Sequence, residues 1–271
     1  NSFLKKYLLT MLFVTFCLIS LGGAVRAMNA GLACPDWPLC FNKVIPEYQM
    51  HVYYEFIHRA IAGFVAILTL VLNIILLRGK YPKEVRRTIL VADLILISQI
   101  ILGGLTVLKL LHFSVVTMHL VFGISFLMSL LWIYFQLFVP SAGIREPTPK
   151  SFHMVLLTVA LILAIQIILG GLVSSNYAGL ACEGFPLCNG EWIPTLEGFV
   201  GLQVKHRFWG YFTALSIFAF TNVIWKNRNK GWISPRIVRL GFSLSAMIVL
   251  QILVGVANVV YKLPPVITVL H

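Results

Sequence analysis

Four histidines carry the chemistry most directly. His58 and His206 stand 148 positions apart and each is followed by an arginine, Arg59 and Arg207. His119 and His271 stand 152 apart, in segments aligned by Gln99-Ile-Ile-Leu-Gly-Gly and Gln251-Ile-Leu-Val-Gly-Val. One histidine in an apolar segment is ordinarily a hydrogen-bonded packing residue, but four at equivalent positions of a repeat point to ligands. Each lies about six residues inside one end of an apolar helix, near ~9 Å at 1.5 Å rise per residue. The second and fourth helices of each half run in the same direction, so their two imidazoles face each other at one depth. That arrangement suits a haem iron held by two imidazoles, with Phe56, Phe122 and Phe208 available to the porphyrin.

The two halves differ at one chemically telling position. Glu55 precedes His58 by three residues, which places both on one helical face, whereas Gln203 holds the matching place before His206. A charged carboxylate in a bilayer costs roughly 2.5–3.5 kcal/mol near the centre and less at the edge, so it normally marks function. A structural pairing of Glu55 with Arg59 is the competing reading. If one site needs a carboxylate beside its ligand and the other does not, the first does chemistry and the second holds haem for electron transfer or structure. Arg59 and Arg207 either snorkel to headgroups or offer bidentate hydrogen bonds to haem propionates; the second role is the one expected here.

The repeat extends beyond the histidines. LGGAVRAMNAGLACPDWPLC at 21–40 returns as LGGLVSSNYAGLACEGFPLC at 169–188, with twelve of twenty positions identical. Each copy holds a cysteine pair, Cys34 with Cys40 and Cys182 with Cys188, in a loop. A disulfide within each loop is the direct reading, since no further soft ligand lies near for a thiolate metal site. A redox role would require accessible, strained sulfurs. Cys17 reads as a small buried apolar residue.

The elements that must position these residues are membrane spans. With 59% hydrophobic and 11% charged residues and a mean hydropathy of +0.91, a water-soluble fold would leave apolar surface exposed; a multi-span protein does not. Apolar runs occur near 7–27, 52–77, 88–108, 114–138, 153–174, 202–225 and 238–260. The repeat argues that the first is a retained helix and not a cleaved signal peptide. An eighth span is expected to begin at Pro264-Pro265, a suitable helix start, with most of it lying beyond His271. The expected fold is all-α and integral to the membrane: two tandem four-helix bundles, 1–140 and 141–271, with outer Cys loops at 28–51 and 175–200. Each half has an even number of spans, so the halves are expected to be parallel, related by a pseudo-two-fold axis along the membrane normal.

The net charge of +12 orients this protein and does not argue for a nucleic-acid partner. Fourteen of twenty-one Lys and Arg fall at one set of helix ends: Lys5, Lys6, Arg78, Lys80, Lys83, Arg86, Arg87, Arg145, Lys150, Lys226, Arg228, Lys230, Arg236 and Arg239. The positive-inside rule makes these ends and the N-terminus cytoplasmic and puts the Cys loops outside, in a cell membrane. The Gly-Gly steps at 22–23, 103–104 and 170–171 read as close helix approach, and Gln99, Gln166 and Gln251 as interhelical packing. Asp93, whose counterpart is Ser245, reads as a satisfied polar residue or a proton contact on the cytoplasmic side. His51, His112 and His153 lack repeat partners and read as interfacial.

The combination AGLACPDWPLC at 30–40, Glu55-x-x-His58-Arg59, a histidine in the fourth span, and a degenerate second copy ending in His206 and His271 resembles the haem A synthase family over almost the whole chain. The resemblance implies an enzyme oxidising the ring methyl of haem O to the formyl group of haem A for terminal oxidases. It implies haem B on His206 and His271, haem O at His58 and His119, and Glu55 as the catalytic residue. Haem O synthase and oxidase-assembly proteins become partners to expect besides membrane lipid, with room for a homo-oligomer. The second loop keeps both cysteines, which only some members of the family do.

Two other classes compete. A di-haem b-type cytochrome moving electrons between quinone and an outer-face acceptor explains the four histidines, but predicts no difference between Glu55 and Gln203. A transporter would want polar or broken helices at the midplane, and these spans are mostly uninterrupted there.

Overall fold

Each apolar run is a helix because a bilayer satisfies no backbone hydrogen bonds, and within a single segment only a helix satisfies them all. The computed structural model describes residues 2–139, 146–192 and 194–271. It contains α1 (Ser2–Ala27), α2 (Met50–Arg78), α3 (Lys83–Leu108), α4 (Phe113–Phe138), α5 (Lys150–Ser175), α6 (Gly198–Lys226), α7 (Pro235–Val260) and a short α8 (Pro265–Leu270). Seven of these are long and apolar enough to cross a membrane, and no strand occurs among the described residues. The protein is an all-α integral membrane protein. The helices start one to five residues before the apolar runs do; in α1, α3, α5 and α7 the added residues include the basic ones at these ends. Arg145 lies outside the described residues.

Proline sets several starts. Pro82, Pro149 and Pro264 occupy N-cap positions of α3, α5 and α8. Ser234 caps α7, accepting from the Ile237 N–H, with Pro235 in the first turn. The ends are duplicated in backbone detail. Leu110 and Leu111 after α3, like Lys262 and Leu263 after α7, have positive φ between 49° and 60°. These left-handed pairs let the Leu111 and Leu263 N–H groups reach the Thr106 and Asn258 carbonyls, both at 2.7 Å, and close the helices.

The chain divides into two compact units, one comprising α1–α4 and Thr268–Leu270, the other α5–α7 with the start of α8 and His271. In the first, α3 packs along α4 and α1 touches both α2 and α4. Its core lies toward the basic helix ends: Leu4, Leu8, Met11, Leu72, Leu76, Ile89, Leu130 and Ile133 are all fully buried. In the second, α6 packs on α5 and α7. Its core of Val159, Ile217, Phe220, Ile224, Trp232 and Ile233 is likewise at the basic ends. Lipid is as apolar as leucine, so these cores gain from close packing and not from water expelled. Tight packing at the basic ends holds each bundle together and leaves the other ends to the histidines.

Asp93 is a satisfied residue. Its Oδ1 accepts from Asn73 Nδ2 at 2.8 Å across α2 and α3. The second unit has a neutral pair at the equivalent place, Thr221 Oγ1 and Ser245 Oγ at 2.9 Å.

Candidate functional site

Each of the four histidines rests on a glycine of the preceding helix. A Cβ at Gly22 would lie 3.0 Å from His58 Cε1, one at Gly103 3.1 Å from His119 Cε1, and one at Gly170 3.1 Å from His206 Cε1. At Gly255 it would lie 2.5 Å from His271 Cε1. The Gly-Gly steps are thus seats for imidazoles, a more specific role than helix approach. With no side chain at the seat, the imidazole packs directly on the backbone of the preceding helix.

Three glutamines, read above as packing residues, sit against the imidazoles. Gln99 Nε2 is 3.4 Å from His119 Nε2. Gln166 Nε2 is 3.3 Å from His206 Nδ1, and Gln251 Nε2 is 3.3 Å from His271 Nδ1. The Gln251 amide also donates to the His271 carbonyl. Each glutamine precedes its seat glycine by four residues, one helical turn, and that spacing was the signal available in the sequence. The Oε1 atoms of Gln99 and Gln166 are buried without a hydrogen-bond partner, as are Nδ1 of His58 and His119.

In the second unit the His206 and His271 ring centroids are 6.2 Å apart and the planes meet at 80°. An iron with imidazole nitrogens about 2 Å away on either side sets the rings roughly 6 Å apart, centre to centre. Nδ1 of each ring lies against a glutamine amide; for Nε2 to bind a metal Nδ1 must carry the proton and donate it, and Gln166 Oε1, unpaired, can accept it once that amide is turned over. In the first unit His58 and His119 lie close enough to interact electrostatically. No cluster of three or more His, Cys, Asp or Glu that would hold a bare metal ion occurs among the described residues. Two axial imidazoles with orphaned nitrogens therefore fit a macrocycle that brings its own equatorial donors, and the residues present fit haem.

Glu55 is buried, with 4% of its surface exposed. Its Oε1 pairs with Arg59 Nη2 at 2.5 Å, and its Oε2 accepts from the Cys34 N–H at 2.8 Å. Arg59 also donates to the Asp36, Leu39 and Cys34 carbonyls at 2.6, 2.7 and 3.2 Å. Its fork thus grips the Cys loop. The competing structural reading of Glu55 therefore has direct support, and Arg59 is engaged by loop oxygens on its own unit. In the second unit Arg207 donates, among the described residues, to the Cys182 and Leu187 carbonyls, at 2.6 and 3.4 Å. Gln203, equally buried, donates to the Gly179 carbonyl at 2.9 Å, leaving its Oε1 unpaired.

Both loops contain a disulfide, Cys34 with Cys40 and Cys182 with Cys188. The Cys34 and Cys182 residues are wholly buried, packed on Val52 with Phe56 and on Val204 respectively. Phe56 is thereby taken up beneath the disulfide, while Phe208 is largely exposed. The loops close differently. Asp36 accepts from the Phe41 and Asn42 N–H groups at 2.6 and 2.8 Å, and these bonds, with the Asn42 bond strongest, hold its carboxyl below the usual aspartate range. Asn189 does the equivalent work by accepting from the Glu183 N–H and donating to the Ala181 carbonyl. Trp37 of the first loop lies over Gly104, where a Cβ would be 3.1 Å from the indole. His51, His112 and His153 are exposed at helix ends, as expected. Cys17 is exposed, so it is not the buried residue expected.

The site thus defines a class, an all-α membrane protein with paired intramembrane imidazoles beneath disulfide-closed loops. The COX15-CtaA family, described as cytochrome oxidase assembly protein, matches over residues 5–271, and the chain belongs to it. Its relatives include the haem A synthase of Shewanella oneidensis, 29% identical across 97% of this chain and 89% of the relative. The haem A synthases of Alkalihalophilus pseudofirmus (32% identical; 82% and 76% covered) and Shouchella clausii (31%; 73% and 68%) are similar to it as well.

Proposed function

We propose that this protein is a haem A synthase, an oxidoreductase that converts the ring methyl of haem O to the formyl group of haem A. The first unit takes the substrate between His58 and His119. The second holds haem B between His206 and His271. The carrying observation is the asymmetry of two otherwise matched sites: a buried carboxylate one turn from the axial histidine in one, a neutral amide in the other. The rival cytochrome reading leaves the carboxylate only its structural part in the loop clamp.

Oxidising methyl to formyl exchanges two carbon–hydrogen bonds for a carbon–oxygen double bond; with water as the source of the oxygen, four protons and four electrons leave, the electrons to an external acceptor. The haem supplies the redox chemistry when bound. The chain's residues orient and gate. His58 and His119 would hold the ring, and Glu55, one turn from His58, would supply a carboxylate that accepts a proton or stabilises developing positive charge. Arg59 holds that carboxylate and clamps the Cys loop over the outer end of α2; reorganising that clamp is the route by which Arg59 meets a propionate. Arg207, with fewer partners, is the matching propionate contact of the second unit. By the positive-inside rule the N-terminus is cytoplasmic and both Cys loops face outward from a cell membrane.

The test is to extract haem from the purified protein and from Glu55→Gln, and to separate types B, O and A. The wild type yields haem B with haem O and haem A; the variant keeps B and O and loses A. Normal haem A production by the variant removes the catalytic assignment.

A further inference from the structure

The four histidine seats are alike in glycine and unlike in one further residue. Gln99, Gln166 and Gln251 stand four residues before Gly103, Gly170 and Gly255, each with its amide against an imidazole nitrogen. Four residues before Gly22 stands Leu18, an apolar side chain packed on the core of its own unit. His58 accordingly has no side-chain amide at its seat, and its buried Nδ1 has no hydrogen-bond partner among the described residues.

The opposite wall changes in step. Gly123, four residues after His119, admits the Gln99 amide: a Cβ there would lie 3.1 Å from Gln99 Nε2. Gly210, four residues after His206, admits Gln166 at the same distance. Four residues after His58 the chain has Ala62. Glutamine thus goes with glycine and leucine with alanine, so the difference at His58 involves both helices that form its seat.

We propose that Leu18, with Ala62, is a positioning element that makes His58 the exchangeable axial ligand of the first unit. A second-layer hydrogen bond fixes the ring of a ligating histidine and raises its basicity, and losing it weakens the metal bond. Three of the four imidazoles have a side-chain amide against a ring nitrogen, placed to supply such a bond through its oxygen when the amide is turned toward the ring, and the one beside Glu55 has none. A substrate that must enter and leave needs one ligand that lets go, and a resident cofactor does not. His119, held by Gln99, keeps the iron placed while His58 releases. The inference rests on the haem reading of the site.

The probe is ferric protoporphyrin IX loaded onto the full chain in detergent, its loss followed by transfer to excess apomyoglobin. The wild type releases haem in a fast and a slow phase, and His119→Ala removes the fast one, identifying it with the first unit. Leu18→Gln combined with Ala62→Gly, which copies the second unit, slows the fast phase about tenfold, the scale of one hydrogen bond. The low-spin ferric paramagnetic resonance of that haem moves toward the signal of the other. A fast phase and a resonance both unchanged in the double variant overturn the proposal. If that variant does not accumulate, Gln166→Leu gives the converse: the slow phase quickens about tenfold, and an unchanged slow phase overturns the proposal equally. Failure of the wild type to bind the porphyrin at all refutes the haem reading instead.

Discussion

Glu55 Oε1 lies 2.5 Å from Arg59 Nη2, one turn along α2, and the pair has no copy in the second unit, where Gln203 donates to the Gly179 carbonyl. This ion pair joins the two halves of the site. One oxygen of the carboxylate holds the Cys34 N–H, and the guanidinium collects three carbonyls of the same loop. A residue one turn from His58 is thereby tied to the cover above it.

Removing either partner is expected to cost stability, because it leaves a buried charge uncompensated. Arg59→Ala should lower stability by about 1–3 kcal/mol, read as an earlier thermal transition in detergent. Arg59→Lys should recover little, since an ammonium cannot reproduce the fork across loop carbonyls. Arg207→Ala should cost less, having two carbonyl partners and no carboxylate. An equal loss at both positions would count against a special role for the first clamp.

The seat glycines make a prediction with a built-in control. Gly170→Ala places a methyl 3.1 Å from His206 Cε1 and should displace the ring, abolishing the low-spin haem signal of the second unit while helix content is retained. Gly63→Ala meets nothing within 4 Å. It should be neutral or stabilising by up to about 1 kcal/mol from helix propensity alone. Visible absorption and thermal melting of the two variants separate steric displacement from a general effect of alanine.

The two loops should respond differently to acid. The Asp36 carboxyl is held below its ordinary range by the Asn42 and Phe41 amides, so its contribution is present above the unfolded value. It is lost as pH falls through the lower folded value, below about pH 4. Protection of the Phe41 and Asn42 amides from hydrogen exchange, measured relative to the intrinsic rate at each pH, should therefore fall in that acid range and be retained at neutral pH. Exchange at the Glu183 amide, held by Asn189, should lack this step. A step of the same size in both loops would contradict the assignment.

Much of this arrangement is legible in the sequence because it is written twice. The spans, the Cys pairs, the histidines and the Glu55–Gln203 difference all follow from aligning one half on the other, with no knowledge of helix register. What the alignment does not supply is which atoms meet across two helices. Gly22 and Gly103 read as generic small residues until their helices are placed, and only then do they become seats for particular rings. Gln99 and Gln166 likewise look like packing glue until their amides are found against imidazoles. Arg59 was expected at a propionate and is found on loop carbonyls, because loop conformation sets where those oxygens point. Periodicity determines faces; contacts depend on the rotation and separation of neighbouring helices.

The central claim is that the unit bearing Glu55 performs the oxidation and the other does not. The most direct measurement supplies haem O to purified wild-type, Glu55→Gln and His206→Ala proteins and quantifies haem A by chromatography under single-turnover conditions. The account predicts haem A from the wild type. It predicts none from Glu55→Gln despite retained haem O, and from His206→Ala at most a single turnover, with haem B lost. Haem A formed normally by Glu55→Gln, or wild-type protein that carries only haem B and leaves haem O unchanged, would contradict it.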